Sequence, residues 1–283
     1  MVKIICDSTG DLTKELQERF DITVLPLYII LDEKEYRDGI DITDREIFEW
    51  SDKNKTTPKT SAVSMEDTLN LLRPIVEAGD EAVVFTISAS MSTTNNVIKM
   101  AAAELDAEDK VFAIDSANLS TGVGILAIEG AKMAKAGAAG AEIAARMEEL
   151  KPLVRASFVV DTLTYLHRGG RCSSVAALAG SALKLHPRIV VKDGAMSADK
   201  KYRGKMDSVI KNYVHDLEPL YLKAKPDFAL VTHSPCDQSI VDTVIDYLKS
   251  LNKFTEIIDA HAGGVICSHC GPGTLGVIFM MEE

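Results

Sequence analysis

The 283-residue sequence predicts an α/β protein of two domains, and three observations support this fold class. Short apolar runs alternate with amphipathic stretches nearly throughout, which is typical of a parallel sheet with helices on both faces. The length exceeds what a single hydrophobic core usually serves. The composition also changes near Lys151-Pro152, so we place a first domain at residues 1–155 and a second at 156–283.

The first domain contains strand signals separated by helical patterns. Ser8, Thr9 and Asp11 are all suitable residues to cap a helix after the first strand. Thr43 and Glu46 have the spacing of a capping box, which predicts the start of a second helix. The predicted strands are VKIIC (2–6), ITVLPLYIIL (22–31), EAVVFTIS (81–88) and DKVFAIDS (109–116).

Two hairpins and one long helix are further expectations. The stretch DEKEYRDG (32–39) has the turn residues of a small hairpin or of an excursion from the sheet. Asp193-Gly194 lies between two short apolar arms, which is a strong hairpin signal in the second domain. A continuous helical pattern then extends from Lys205 to Leu222.

Charge and composition exclude several classes of function. The formal net charge of −11 argues against a general nucleic-acid binder, which requires a basic face. The sequence has no signal-peptide pattern at its start and no apolar run approaching ~20 residues, so no membrane span is expected. The five cysteines therefore predict reduced thiols and a cytoplasmic protein.

The segment CSHCGPGTLG (267–276) suggests a metal site at first sight. Cys267 and Cys270 form one C-x-x-C pair, and His261 or His269 could complete a zinc site. However, the sequence offers no second spaced pair, so no metal is expected.

The same segment also has the appearance of a redox pair and of a dinucleotide-binding loop. A redox C-x-x-C lies at a helix N-terminus, whereas Cys270 is followed by Gly-Pro-Gly, so two semi-buried residues near a turn are the better interpretation. A G-x-G-x-x-G loop needs a following helix, and the residues after Gly276 have the pattern of a strand. We expect a tight loop in which Gly271 and Gly273 permit close approach, with His269 at its entrance.

Two polar segments of the first domain could face this loop. Thr60-Ser61-Ala62-Val63-Ser64 precedes a helix, and Ser90-Met91-Ser92-Thr93-Thr94 follows a strand. Hydroxyl and N–H groups at helix N-termini favour an anion. The alternative is that these side chains are simple helix caps, and for Thr60 or Thr93 taken alone this alternative is favoured.

Five motifs in order resemble the DegV family of bacterial fatty-acid-binding proteins over essentially the whole chain. They are KIICDSTGDL (3–12), KTSAVS (59–64), SASMSTT (88–94), LTYLHRGGR (163–171) and HCGPGTLGV (269–277). The resemblance implies an N-terminal three-layer α/β/α domain with a parallel sheet and a C-terminal two-layer domain with a mixed sheet. It also implies a long-chain fatty acid such as palmitate in a tunnel between the domains, presented to a fatty acid kinase that phosphorylates its carboxylate to an acyl phosphate.

The resemblance further assigns roles to particular residues. Ser61 and Ser92, with Thr60 and Thr93 beside them and His269 from the C-terminal loop, correspond to the carboxylate-binding group. The residues assigned to the head-group face, available to the partner, are Arg171, Arg203, Gly271 and Gly273. No catalytic residue and no cofactor are expected, and the chain is expected to be a monomer or weak dimer.

Two positions depart from the family pattern. Val63 stands where the family commonly has proline, and the family's L-S-G-T-Y is here Met91 to Asn95, which puts the Thr93 side chain beside the head-group position. Both departures bear on the choice of ligand. The acyl chain itself is expected to be lined by second-domain residues, namely Val175, Ala176, Leu178, Ala179, Leu183, Leu185, Ile189 and Val191.

An enzyme is the alternative function. Ser92, His269 and Asp7 could be drawn as a hydrolase triad, although the sequence contains no G-x-S-x-G elbow. His269 could instead hold a small substrate, as in the substrate subunit of a small-molecule kinase. The carrier function is the one that accounts for both polar segments.

Overall fold

The N-terminal part is built on a parallel sheet. In the computed structural model, which describes residues 1–172 and 185–283, four strands lie side by side. In spatial order they are Ile22–Leu25 (β2), Val2–Asp7 (β1), Glu81–Thr86 (β6) and Val111–Asp115 (β7). Residues 82–85 of the central strand β6 are all buried, so both faces of this sheet have to be covered.

Helices cover both faces, as the sequence predicts. Ile4 and Cys6 of β1 pack in one cluster with the first, fifth and sixth helices of the chain, whereas Ile5 packs on the opposite face with the second, third and fourth. The alternation follows from the two-residue period of a strand. The helices are Lys14–Phe20 (α1), Asp44–Asn54 (α2), Met65–Glu77 (α3), Thr94–Glu104 (α4), Thr121–Lys135 (α5) and Gly140–Leu150 (α6).

A small antiparallel sheet arises where one long strand was predicted. The expected strand over residues 22–31 is interrupted at Pro26, which has no N–H group for a sheet ladder. The chain leaves the parallel sheet there, and a three-stranded sheet follows, with the predicted hairpin of residues 32–39 confirmed. Its strands, in spatial order, are Lys34–Arg37 (β4), Tyr28–Leu31 (β3) and Lys59–Ser61 (β5).

The C-terminal part is built on a six-stranded mixed sheet. Among the described strands of this sheet, only Ala224–His233 (β11) and Glu256–His261 (β12) pair in parallel, and the other neighbouring strands are antiparallel. The predicted boundary at residues 155 and 156 stays a prediction, and β8 runs across it. In spatial order the strands are Ala195–Arg203 (β10), Leu185–Lys192 (β9), Val154–Val159 (β8), Leu275–Met281 (β13), Ala224–His233 (β11) and Glu256–His261 (β12).

Two long helices of this part cover one face of the sheet, and the N-terminal part packs on the other face. Val209 and Val241, from α8 and α10, pack on one face. On the other face Ile278 and Leu230 share a cluster with Ile125 of α5, so the two parts have a common core. The described helices are Thr164–Gly169 (α7), Met206–Asp216 (α8), Glu218–Tyr221 (α9), Gln238–Ser250 (α10) and Gly264–Cys270 (α11).

Two local predictions are wrong for identifiable reasons. The expected single helix from Lys205 to Leu222 ends at Asp216, because Pro219 cannot donate the hydrogen bond that would continue it. The first helix is capped by Thr13, whose hydroxyl accepts a hydrogen bond from Leu16 N. Ser8, Thr9 and Asp11 precede that cap in a separate turn.

Candidate functional site

A cavity of about 410 Å³ lies between the two parts of the chain. Its N-terminal wall consists of β5, the loop after β6 and the loop before α5, and its C-terminal wall consists of α11 and β10. The polar lining residues are Thr60, Ser61, Ser90, Ser92, Thr93, Arg171 and His269. The apolar ones are Leu27, Ala62, Ile87, Ala89, Met91, Leu119, Met196, Val265, Ile266 and Cys270.

All five residues predicted to bind a carboxylate line this cavity. Ser64 caps α3, since its hydroxyl accepts a hydrogen bond from Asp67 N at 3.0 Å. Thr60 and Ser61 lie upstream in β5 and are therefore not helix caps. Thr93 precedes α4 without forming a side-chain cap. The favoured alternative for Thr60 and Thr93, that each simply caps a helix, is wrong.

The two serine hydroxyls differ in their surroundings. Ser92 Oγ lies 3.0 Å from Thr94 Oγ1 and accepts a weak hydrogen bond from Thr94 N at 3.3 Å. The Ser61 hydroxyl has no hydrogen-bond partner among the described residues. Both residues are half-buried on the cavity wall, and Ser92 lies beside the first turn of α4, where an anion is electrostatically favoured.

His269 joins the two walls of the cavity. It lies in the last turn of α11, and its Nε2 is hydrogen-bonded to Thr60 Oγ1 at 2.8 Å. Its Nδ1 is buried and has no partner among the described residues. Burial, with a contribution from the positive charge of Arg171, lowers the pKa of His269 to about 4. The imidazole is therefore neutral at pH 7 and can act as a hydrogen-bond donor or acceptor without carrying charge.

The R-G-G-R segment fits closely around this histidine. A Cβ atom on Gly169 would lie 2.5 Å from His269 Nδ1, so a side chain at this position would displace the imidazole. Gly170 ends α7 in the left-handed region, with φ of 68°. Arg171 then turns back, and its Nη1 donates a hydrogen bond to Gly169 O at 2.7 Å. Its exposed guanidinium group is thereby held at the rim of the cavity.

Three residues assigned to the head-group face do not line the cavity. Arg203 is exposed at the end of β10, seven residues beyond Met196, which corresponds to roughly 23 Å along a strand. Gly271 and Gly273 turn the chain after α11 with φ of 79° and 73°. Side chains there would collide with Tyr165 and Asp161, so the two glycines serve the loop's packing.

Two buried carboxylates hold the helix that carries His269. Asp11 accepts a hydrogen bond from Gly263 N, and Asp38 accepts one from Gly264 N, each at 2.8 Å. Burial raises the pKa of both carboxyl groups. Sequence analysis interpreted Asp11 only as a helix cap and did not identify Asp38. A carboxylate that caps a helix more than 200 residues away leaves no local sequence signal.

The cysteines near the end of the chain do not form a metal or redox site. Cys267 and Cys270 are buried within α11 rather than semi-buried near a turn, which corrects the expectation. Burial raises the pKa of the Cys270 thiol to about 12, whereas a redox thiol needs a lowered pKa. Within residues 1–172 and 185–283, no group of three or more His, Cys, Asp and Glu side chains could hold a metal ion.

Ser92, His269 and Asp7, the alternative catalytic triad, are not hydrogen-bonded to one another among the described residues. Asp7 accepts hydrogen bonds from Thr9 and from Ile87 N, and His269 Nε2 binds Thr60. His269 therefore has neither the orienting carboxylate nor the nucleophile contact of a catalytic triad.

A small second cavity of about 20 Å³ continues the apolar side of the first. The two cavities share Leu119, Ile266 and Cys270, and the second extends across β8, β13 and β11. Of the residues predicted to line an acyl chain, Leu185, Ile189 and Val191 do not line either cavity. The others, Val175, Ala176, Leu178, Ala179 and Leu183, lie outside the described residues.

The fold and the cavity define an α/β protein of two parts, with a ligand-sized site between them. Residues 1–282 match a family described as "Uncharacterised protein, DegV family". The chain therefore belongs to the DegV family, and the resemblance found in the sequence motifs is confirmed. None of the described helices has both the length and the apolar character needed to span a membrane.

Relatives match along their whole length. A DegV domain-containing protein of Clostridium acetobutylicum is 32% identical over 287 residues, which cover 99% of each chain. A structure described as fatty acid binding of a DegV family protein from Thermus thermophilus is 28% identical, has a TM-score of 0.89 and covers 99% of both chains. A stearic acid-binding protein of Eubacterium ventriosum is 29% identical, with a TM-score of 0.85 over 99% of this chain and 98% of the other.

Proposed function

We propose that this protein binds a long-chain fatty acid such as palmitate in a tunnel between its two domains. The observation that carries the proposal is that Ser61, Ser92 and His269, from three distant segments, line one cavity whose remaining wall is largely apolar. An amphiphilic anion needs that combination of hydrogen-bond donors at one end and dry surface at the other. The descriptions of the Thermus thermophilus and Eubacterium ventriosum relatives support this ligand class.

Neutral donors would bind the carboxylate. The Ser61 and Ser92 hydroxyls donate to its oxygens, with Thr60 and Thr93 beside them. Because the pKa of His269 is lowered to about 4, its imidazole contributes a hydrogen bond and no ion pair. Each hydrogen bond to a charged group contributes about 1.5–3 kcal/mol. Such a set holds the carboxylate while leaving it free to be released or to react, as a carrier requires.

The acyl chain would extend from the first cavity toward the second. Leu119 and Ile266 line both, so the chain passes between them onto the face of the C-terminal sheet. A C16 chain has about 14 methylene groups, which at ~0.8 kcal/mol each provide on the order of 11 kcal/mol before ordering costs. The second cavity is too small for a chain as it stands, so its walls separate on binding.

The carrier would present this carboxylate to a fatty acid kinase. The kinase transfers the γ-phosphoryl group of ATP to a carboxylate oxygen, which yields the acyl phosphate and ADP. Arg171, exposed at the cavity rim, faces the incoming phosphoryl group or the partner.

We also propose that the two domains divide between residues 155 and 156, that the protein is a monomer or weak dimer, and that its location is cytoplasmic. The cysteines of the described residues form no disulfide, which supports that location.

Titration of purified protein with a fluorescent fatty acid tests the proposal. Removal of both hydroxyls in Ser61→Ala/Ser92→Ala should weaken binding by at least about 10-fold, since each hydroxyl donates to a charged oxygen. Ser250→Ala, on an exposed helix end far from the cavity, is the matched control and should bind normally. Equal affinity of the double variant and wild type would contradict the assigned carboxylate site.

A second measurement separates binding from presentation. Arg171→Ala should retain its fatty acid, yet support less ATP-dependent formation of acyl phosphate by a fatty acid kinase. An Arg171→Ala protein that is phosphorylated at the wild-type rate would contradict the role of this arginine. No contact among the described residues supports the alternative enzyme using Ser92 and His269, and we do not propose it.

A further inference from the structure

A hairpin of the C-terminal sheet is hydrogen-bonded to the N-terminal part at the rim of the cavity. Strands β9 and β10 are joined by Asp193-Gly194, as the sequence predicts, with φ of 50° and 79°. The carbonyl oxygen of Gly194 accepts a hydrogen bond from Ser88 Oγ at 2.7 Å and another from Ser90 Oγ. Both lone pairs of that carbonyl are thus used by one loop of the opposite part.

The loop that receives the hairpin tip is itself held firmly. Asp115 Oδ1 accepts hydrogen bonds from Ala89 N at 3.1 Å and Ala117 N at 2.9 Å. Ser88 N donates to Asn118 O at 2.8 Å. Ser88 is buried, and a Cβ atom on Gly194 would lie 2.8 Å from its hydroxyl. The space between Gly194 and Ser88 therefore accommodates a glycine and is too small for a side chain at position 194.

This contact lies between two parts of the cavity wall. Met196, two residues beyond the tip, lines the cavity from the hairpin. On the other side Ser90 is followed by Met91 and Ser92, which line it from the loop. The bonds to Gly194 thus connect the segment that carries Ser92 to the hairpin that carries Met196.

We propose that Ser88 and Ser90 are positioning residues that latch this hairpin over the bound ligand and set the rate at which the ligand leaves. The proposal rests on the proposed fatty-acid-binding function. With both bonds formed, Met196 stays against the cavity and the rim is closed. When both bonds open, the hairpin moves away from the loop, and the ligand can pass between Met91 and Met196. Ser88 does not line the cavity, and Ser90, which does, acts on release through its bond to Gly194.

Ligand release from Ser88→Ala/Ser90→Ala tests the latch. Removal of two neutral hydrogen bonds should accelerate dissociation of a fluorescent fatty acid by roughly 10- to 30-fold in stopped-flow displacement. Ser90→Thr, which keeps a hydroxyl, should restore much of the slow release. Ser197→Ala is the matched control, because Ser197 is exposed on the same hairpin and should release ligand at the wild-type rate.

Amide hydrogen exchange tests the same contact without ligand. The hairpin amides of residues 190–197 should exchange faster in the double variant. They should also exchange faster in Gly194→Ala, which retains both serines but places a methyl group against the Ser88 hydroxyl. Unchanged exchange or unchanged release in a folded double variant would overturn the latch. Absence of fatty acid binding by the wild-type protein would instead contradict the proposed function, and the exchange measurement would still decide the latch.

Discussion

His269 and Thr60 are 209 residues apart in sequence and are joined by a hydrogen bond of 2.8 Å. The bond connects α11 of the C-terminal part to β5 of the N-terminal part, across the cavity that both residues line. The position of the imidazole therefore depends on both parts at once. Any change that moves β5, α11 or the Gly169 backbone against His269 should alter both the stability of the protein and its site.

Loss of the Thr60 hydroxyl should destabilise the protein. In Thr60→Val the side chain keeps its shape, but His269 Nε2 loses its partner and both ring nitrogens are then unsatisfied. We expect the free energy of unfolding in urea to fall by about 1–3 kcal/mol. Thr93→Val is the control, because Thr93 is exposed and its side chain forms no cap hydrogen bond to α4. Equal effects of the two substitutions would show that the Thr60–His269 bond contributes nothing.

A side chain at position 169 should act through His269. In Gly169→Ala the new Cβ atom would meet Nδ1 at 2.5 Å, so the imidazole has to rotate away from Thr60. We expect fatty acid affinity to fall about 10-fold or more. A double-mutant cycle supplies the control: in a His269→Ala background the same change should have little effect. Additive effects would indicate that Gly169 acts independently of the histidine.

Asp7 should make the protein more stable as the pH falls from 7 to 5. Burial, opposed by hydrogen bonds from Thr9 and Ile87, raises the pKa of Asp7 to about 6. The folded state therefore binds this proton more tightly than the unfolded state, and stability from this group is lost as the pH rises through 6. The gain between pH 7 and 5 is about 1 kcal/mol.

The comparison with Asp7→Asn isolates this contribution. His269 has the opposite dependence, because its lowered pKa makes the folded state lose stability as the pH falls from about 6.5 toward 4. The contribution of His269 to the free energy of unfolding is the same in wild type and in Asp7→Asn, so it cancels when the two proteins are compared. The free energy of unfolding of wild type should therefore rise relative to that of Asp7→Asn as the pH is lowered from 7 to 5. A difference that does not change with pH would contradict the raised pKa.

Asp38 should be essential to the position of α11. Asp38→Ala removes the acceptor for Gly264 N and for the Ser8 hydroxyl, which are hydrogen-bonded to its carboxylate at 2.8 Å each. We expect a loss of about 1–3 kcal/mol in the free energy of unfolding, together with weaker ligand binding. Asp41→Ala, three residues away on the exposed surface, should have a smaller effect. A similar loss in both variants would contradict the anchoring role.

Much of the architecture follows from local sequence patterns. The period of the apolar runs predicts the three-layer N-terminal part, and Asp193-Gly194 predicts the hairpin, because both signals depend on neighbouring residues. Pro26 shows where that approach is insufficient. The apolar pattern continues through it, but its missing N–H group divides one predicted strand between two sheets. The break at Pro219 has the same cause.

Local signals indicate part of the cavity lining: Ser92 and Thr93 come after a strand, and Thr60 and Ser61 belong to a polar segment before a helix. The C-terminal glycine loop indicated His269, and the family resemblance assigned it to the carboxylate-binding group. Arg203 does not line the cavity, because the direction in which β10 runs is fixed by tertiary pairing. Asp38 and the Ser88 contact to Gly194 were missed for a similar reason, since each joins segments about 100 or more residues apart.

Native mass spectrometry of protein purified from a bacterial host without added ligand tests the central claim most directly. The account predicts a stoichiometric additional mass, identified as a C14–C18 fatty acid after lipid extraction. It also predicts that the Ser61→Ala/Ser92→Ala protein retains less of this lipid. A lipid-free mass that stays unchanged when fatty acids are added would contradict the account, and a small polar ligand for His269 would then have to be sought.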